Sequence, residues 1–173
     1  IMSDVHRGDG SWADDFHRNQ HLFFSALLHY YEHQFTYIEN GDGDELWKFR
    51  NLKDIIRIHS DVFWLLSKYY EDERLYFIYG NHDMVKNKRN YVAQNMYYYF
   101  RERDKKTIEL FKGIELHEGL ILKHSIKDYE VFLIHGHQVD IMCSALWKLS
   151  RFLVRYLWRP IDNLGFNDPT STA

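Results

Sequence analysis

The chain has 173 residues, 45% of them hydrophobic, and this length suits one packed core, so we predict a single domain over 1–173. Its formal net charge of −3 gives no general reason to expect a polyanionic partner and argues against nucleic-acid binding. The lone Cys143 excludes an internal disulfide, and without a signal segment or a membrane-spanning apolar run the chain is expected to be cytoplasmic.

The first half of the chain alternates between helical and extended patterns. Apolar residues at helical spacing predict a helix over 15–33, and a short aromatic and β-branched run predicts a strand over 35–39. A second amphipathic pattern predicts a helix that ends near Tyr70. The continuous apolar run 75–79, stopped by Gly80, is typical of a strand buried on both faces.

The second half of the chain begins with shorter extended segments. Turn residues divide 108–134 into several strands, and a final helix is predicted over 140–158, stopping at Pro160. Strands that alternate with helices and are then followed by strands alone predict an α/β fold, a mixed-sheet β-sandwich flanked by helices.

Four clusters of acidic, histidine and amide residues stand where apolar runs end. Because the carboxyl ends of strands in open α/β sheets meet at one edge, clusters far apart in sequence are expected to converge there. Carboxylate and amide oxygens combined with imidazole nitrogens suit manganese, iron or zinc better than calcium or magnesium. The clusters are Asp4-Val5-His6, Gly41-Asp42-Gly43-Asp44-Glu45, Gly80-Asn81-His82-Asp83 and His135-Gly136-His137.

Each cluster alone has an ordinary structural explanation, since an Asp-X-His is often a strand end and a Gly-Asp is often a turn. All four in this order favour a metal site. In order and spacing they resemble the calcineurin-like metallophosphoesterase family over nearly the whole chain. Within that family, Trp47 and the helical insertion at about 140–160, after His135-Gly136, look most like the branch that contains UDP-2,3-diacylglucosamine pyrophosphohydrolase.

The resemblance implies a dinuclear centre that holds two divalent transition-metal ions, with manganese favoured over iron or zinc. It implies that Asp4 and His6 hold one ion, that Asn81 and His135 hold the other, and that Asp42 bridges them. Such a pair of ions can clamp phosphate oxygens and supply a hydroxide near neutral pH.

The resemblance also implies a role for His82 beside the ions, where it would protonate the leaving oxygen or stabilise the phosphoryl charge as the catalytic residue.

One departure from the family pattern is the missing closing motif, Gly-His-X-His. His135-Gly136-His137 has a different order, so His135 is assigned to the penultimate motif and each ion is left one protein ligand short. The expectation is a domain truncated at its carboxyl terminus, with metal affinity and activity compromised if these were all its residues.

Two further residues are candidates for substrate contact. Arg7 lies on the loop expected to overhang the site, where it could reach a phosphate, and the alternative is a surface arginine paired with Asp9 or Asp14. His137 could touch substrate or a metal-bound water, and the alternative is a neutral histidine behind the ligands.

The final predicted helix carries four basic residues in one line and four leucines in another. Three interpretations stay open: an amphipathic helix that packs its leucines on the sheet, a segment that binds lipid or a membrane surface, and a nucleic-acid patch. The membrane interpretation would place the protein peripherally at the inner membrane face. The basic line is Lys148, Arg151, Arg155 and Arg159, and the apolar line is Leu146, Leu149, Leu153 and Leu157.

The sequence therefore predicts a metal-dependent phosphoesterase that hydrolyses a phosphomonoester, phosphodiester or pyrophosphate bond of a small substrate, lipid-linked or a nucleotide sugar. The alternatives are a nuclease or cyclic-nucleotide phosphodiesterase of the same fold, and a non-catalytic domain that binds a membrane or a protein partner.

Overall fold

The computed structural model describes residues 1–139 and 146–163. Its centre is a three-stranded parallel sheet in the order β1–β2–β5, formed by Tyr37–Asn40, Leu75–Ile78 and Leu116–His117. The registers pair Tyr37 with Leu75 and Phe77 with Leu116. All three strands therefore end at the same edge of the sheet.

The amino-terminal segment 2–7 lies beside β1 and extends this parallel arrangement. Met2 N donates to Ile38 O at 3.0 Å, and beyond the strand His6 N donates to Asp42 O at 2.9 Å. The backbone of the first cluster thus runs alongside the loop that follows β1, so the first two clusters are neighbours through main-chain hydrogen bonds.

Four helices surround the sheet within 1–139: α1 (Gln20–Glu32), α2 (Leu52–Ile58), α3 (Ser60–Glu71) and α4 (Arg89–Asn95). Helix α3 buries one face in the core because its apolar residues recur at intervals of three and four. The Asn51 side chain caps α2 by accepting from Lys53 N. The residues of α3 buried in the core are Val62, Phe63, Leu65, Leu66 and Tyr69.

Most predicted elements are present with shifted bounds. The helix predicted over 15–33 begins with a 3₁₀ turn, His17–Asn19, before α1, and the strand predicted over 35–39 is β1. The helix predicted to end near Tyr70 is in fact two helices, α2 and α3, because the backbone of His59 leaves helical geometry between them. The prediction that β2 is buried on both faces was wrong at Tyr76, which is 41% exposed.

Two antiparallel hairpins stand apart from the parallel sheet. Strands β3 (Tyr98–Arg101) and β4 (Lys106–Glu109) form one, and β6 (Gly119–Lys123) and β7 (Glu130–Ile134) form the other. The chain is a mixed α/β protein, and the described residues form no β-sandwich, because each hairpin pairs only with itself. Sequence patterns also gave no prediction for α4 or β3.

The final helix differs from its prediction at both ends. The described part begins with α5 (Trp147–Leu153), continues through a π-helical turn, Val154–Trp158, and ends with α6 (Arg159–Asn163). Residues 140–145 of the predicted helix lie outside the described residues. Pro160 does not stop the helix, because it lies at the second residue of α6 and the helical chain continues to Asn163.

None of the helices in the described ranges combines the length and the apolar character needed to cross a lipid bilayer.

Candidate metal centre

The four sequence clusters converge at the carboxyl ends of β1, β2 and β7. The Asn40 side chain at the end of β1 donates to Ile134 O at the end of β7 at 3.2 Å. The third cluster is held to the second because His82 N donates to the Asp42 carboxylate at 2.8 Å. The structure therefore brings together residues that are separated by more than 130 positions in sequence.

One group of donor atoms consists of Asp4, His6 and Asp42. The His6 Nε2 atom lies 3.8 Å from Asp4 Oδ1 and 3.9 Å from Asp42 Oδ2. These separations exceed hydrogen-bond distances, and they suit atoms that each approach a shared cation to about 2 Å.

A second group of donors meets the first at the same carboxylate oxygen. The His135 Nε2 atom lies 3.2 Å from Asp42 Oδ2 and 3.2 Å from Asn81 Oδ1. Asp42 Oδ2 therefore lies between the imidazoles of His6 and His135, with Asp4 on one side and Asn81 on the other. This is the arrangement that a carboxylate bridging two cations requires.

Both imidazoles present Nε2 to the centre because their other nitrogen is already bonded. His6 Nδ1 lies 2.8 Å from Glu45 Oε2, and His135 Nδ1 lies 2.9 Å from Asn40 O. An acceptor at Nδ1 keeps a proton on that nitrogen, so Nε2 is the nitrogen that can bind a cation once its own proton is displaced. The residues present thus have the donor chemistry of a transition-metal centre.

The backbone at three of these residues has positive φ. The angles are 54° at Asp4, 52° at His6 and 51° at Asp42. Non-glycine residues enter this region at a cost of order 1–3 kcal/mol each, and such strain concentrates at functional sites. The loops are therefore shaped for the placement of these three side chains.

The cluster brings several carboxylates close to two histidines, and this shifts the pKa values of both kinds of group. Burial alone would lower the pKa of His6, but the neighbouring carboxylates of Asp4 and Glu45 outweigh it and raise the pKa to about 10. A hydrogen bond to Asp42 raises the pKa of His135 to about 9, and His6 lowers the pKa of Asp4 to about 2. In the ion-free chain, protons on the two imidazoles thus provide the positive charge.

His82 lies beside this group and is held by two neighbours. Its Nδ1 atom is 2.7 Å from Glu45 Oε2, and its ring stacks on Trp47 with centroids 4.1 Å apart. The rings of His6 and His82 meet edge to face at 4.6 Å. His6, Glu45 and His82 also form a second geometric grouping of possible metal donors. We assign Glu45 to holding the two imidazoles, because it is hydrogen-bonded to His6 Nδ1 at 2.8 Å and lies 2.7 Å from His82 Nδ1.

Glu45 is the main site residue to which the sequence assigned no role. Its Oε1 atom accepts from the backbone N–H groups of Trp47 and Lys48, while Oε2 contacts both imidazoles. The only sequence signal was its place three residues after Asp42 in the same loop.

Arg7 is not available to a substrate, which corrects both sequence interpretations of this residue. Its side chain is fully buried. The guanidinium group donates to Glu39 and Asp44 rather than to Asp9 or Asp14. Since its guanidinium is buried and bonded to these two carboxylates, Arg7 cannot bind a phosphate.

His137 is buried, with its ring centroid 5.6 Å from that of His135. Burial lowers its pKa, and the positive charge of His135 lowers it further. These surroundings favour the interpretation of a neutral histidine behind the ligands.

His59 was assigned no partner from sequence, yet it is fully buried. Its Nδ1 contacts Gln20 Oε1 at 2.7 Å and its Nε2 contacts Asp14 Oδ2 at 3.0 Å. Asp14, His17 and His59 are geometrically close enough to hold an ion. The Asp14 carboxylate, however, already accepts hydrogen bonds from three backbone N–H groups between residues 10 and 17. These bonds indicate that the group stabilises this loop.

The final helix packs with its arginines inward, which contradicts the expectation that its leucines pack on the sheet. Arg155 donates to the backbone oxygens of Leu46 and Trp47, both at 2.8 Å, and Arg159 donates to Lys48 O. The leucine line faces outward, with Leu149 51%, Leu153 41% and Leu157 57% exposed. The inward cations satisfy carbonyl groups of the loop that carries Glu45.

This packing leaves a cavity of about 170 Å³ between the helix and the candidate centre. It is largely apolar and has Asn81 and His82 on one side. Its remaining lining includes Leu46, Trp47, Met84, Val85, Trp147 and Arg151.

The chain matches no known family model, no curated protein and no solved structure. The positions and donor atoms of these side chains are therefore the basis for inferring a function.

Proposed function

We propose that this chain is a metal-dependent phosphoesterase that hydrolyses a phosphate ester or anhydride bond through a dinuclear centre. The observation that carries this proposal is the position of Asp42 Oδ2 between His6 Nε2 and His135 Nε2. Asp4 and His6 would hold one ion, Asn81 and His135 would hold the other, and Asp42 would bridge them. The mixed oxygen and nitrogen donors favour manganese, iron or zinc.

When bound, two such ions would polarise the phosphoryl oxygens and lower the pKa of a water molecule. The protein's own residues supply the rest of the chemistry. Glu45 and the Asn40 carbonyl hold the Nδ1 protons of His6 and His135, so that both rings present Nε2 for binding a cation.

His82 is the proposed general acid. The Glu45 carboxylate at Nδ1 and the stacked Trp47 hold its ring, which leaves Nε2 as the nitrogen that can pass a proton to the leaving oxygen. A ring fixed on two sides loses little rotational freedom when the substrate binds, which favours the reaction.

The cavity beside His82 supports a substrate with an apolar group next to its phosphate. Trp47 and Trp147 provide aromatic surface, and Arg151 adds a positive charge. At about 170 Å³ the cavity can hold only part of a substrate. A lipid-linked or nucleotide-sugar phosphate is consistent with this composition.

A second candidate function, peripheral binding to a membrane or a protein partner, is favoured by the outward leucine line of the final helix. Exposed apolar side chains in a row are typical of surfaces that meet another molecule. Nucleic-acid binding is less favoured, because Arg155 and Arg159 are engaged with backbone carbonyls and with Asp9.

The test is hydrolysis of a chromogenic bis-aryl phosphate with added manganese. The unaltered chain should hydrolyse it, and His82→Ala should be much slower, while His33→Ala, an exposed histidine outside the site, should match the unaltered chain. Inactivity with manganese, iron and zinc, together with binding to liposomes, would support the second candidate and contradict the first.

A further inference from the structure

Five charged side chains are buried directly beneath the candidate centre, and none of them is a proposed metal ligand. Each is between 0% and 3% exposed. Burying so many charges is costly unless each is paired at short range. The five residues, called here the buried ion network, are Arg7, Glu39, Asp44, Asp83 and Lys86.

The network is continuous from end to end. Both terminal nitrogens of Arg7 donate hydrogen bonds to the Glu39 carboxylate at 2.7 Å, and its Nε donates a hydrogen bond to Asp44 Oδ1 at 2.8 Å. Lys86 Nζ lies 2.6 Å from Asp44 Oδ2 and 2.7 Å from Asp83 Oδ2. Asp44 is therefore the junction through which the arginine half and the lysine half are connected.

Three of the four loops that carry a proposed ligand contribute one member each to the network, and the loop of His135 contributes none. Arg7 follows His6, Asp44 stands two residues after Asp42, and Asp83 stands two residues after Asn81. Because neighbouring residues share a backbone, fixing these three charged groups also fixes the spacing of the three loops above them.

The surrounding geometry is adapted to this network. A side chain at Gly43 would overlap the Glu39 carboxylate and would lie 2.7 Å from the Arg7 guanidinium. Asp83 Oδ1 also accepts from Gly80 N at 2.8 Å, which anchors the turn before Asn81. Burial alone would lower the pKa of Lys86, but Asp44 and Asp83 outweigh burial and raise it above its ordinary value.

Stability alone does not account for such an arrangement, since an apolar cluster of equal volume is often as stabilising as buried ion pairs. We infer that the buried ion network is a positioning device, in which Lys86 and Arg7 hold three of the four ligand loops, those of His6, Asp42 and Asn81, at the spacing that metal binding requires. This inference rests on the proposed dinuclear centre and assigns Lys86 as a positioning residue that acts through Asp44 and Asp83.

The experiment measures binding of cobalt(II) alone, by titration and by its visible absorption spectrum. Lys86→Met keeps the volume and removes the charge, so cobalt should bind about 10- to 100-fold more weakly, with an altered spectrum. Leu66→Ala, a cavity in α3 outside the ligand loops, should lower the melting temperature but keep the affinity and spectrum of the unaltered chain. Lys112→Met controls for loss of an exposed lysine.

Asp83→Asn provides a milder change that keeps the Lys86–Asp44 pair, and about tenfold weaker binding is expected. If Lys86→Met does not fold, the Asp83→Asn titration decides the question. Unchanged affinity and spectrum in the folded variants would overturn the inference, as would equal weakening in Leu66→Ala. If the unaltered chain binds no cobalt, the proposed centre fails and the positioning role fails with it.

Discussion

Gly80 is the first residue of the third cluster, two positions after β2, and the position of the Asp42 carboxylate requires that it has no side chain. A Cβ atom at this position would lie 2.7 Å from Asp42 N and 2.8 Å from Asp42 Cγ, and closer still to the carboxylate oxygen Oδ1. Ordinary van der Waals contact begins at 3.4 Å, so Gly80→Ala would push the Asp42 carboxyl group away from residue 80 by at least about 0.6 Å.

The expected consequences follow from this displacement. Overpacking of this kind costs about 1–3 kcal/mol, and each kcal/mol lowers the melting temperature by about 2–4 °C in a chain of this size. A misplacement approaching 1 Å at a catalytic centre lowers the rate by up to about 100-fold. We therefore expect Gly80→Ala to lose roughly 10- to 100-fold in kcat/KM.

The assay combines hydrolysis of a bis-aryl phosphate, thermal unfolding and manganese content. Gly113→Ala is the matched control, because alanine there has a strained φ of 87° but only one neighbour, at 3.7 Å, away from the centre. It should lower the melting temperature by a similar amount and leave kcat/KM unchanged. Wild-type kcat/KM in a folded Gly80→Ala chain would refute the reasoning about Asp42.

Two further predictions concern His82 and Asp44. His82→Ala should keep the manganese content measured by elemental analysis and lose about 10²- to 10⁴-fold in kcat, whereas equal loss of metal would contradict a role beside the ions. Burial alone would raise the pKa of Asp44, but Arg7 and Lys86 outweigh it and lower the pKa to about 2. Because the folded pKa is depressed, the pairing of this carboxylate stabilises the folded chain above pH 3.8, and this contribution to the free energy of unfolding is lost as pH falls towards 2. Urea unfolding should show this loss, and Asp44→Asn should flatten it; identical pH profiles would contradict the assignment.

The convergence of the first three clusters could be predicted from sequence because strand ends of parallel sheets meet at one edge, whereas His135 follows β7 of a separate antiparallel hairpin. Asp4, Asp42 and Asn81 follow apolar runs, and that local signal was sufficient to expect them together. Their assignment as metal ligands stays a prediction.

Residues whose role depends on tertiary partners could not be predicted in the same way. Arg7 looked like a surface residue because its partners, Glu39 and Asp44, lie more than 30 positions away. The inward packing of Arg155 was equally hidden, because a helical pattern with one basic and one apolar line does not state which line faces the protein. In the structure, the backbone carbonyl groups of residues 46–48 accept hydrogen bonds from Arg155 and Arg159, and the basic line therefore faces the protein.

The most direct test of the dinuclear centre is the manganese content of the unaltered chain and of Asp42→Ala at saturating manganese, with Asp128→Ala as an exposed control. We predict two ions per chain in the unaltered protein and in the control, and almost none in Asp42→Ala, since both ions depend on the same carboxylate. A full pair of ions in Asp42→Ala, or no bound manganese in the unaltered chain, would contradict the account.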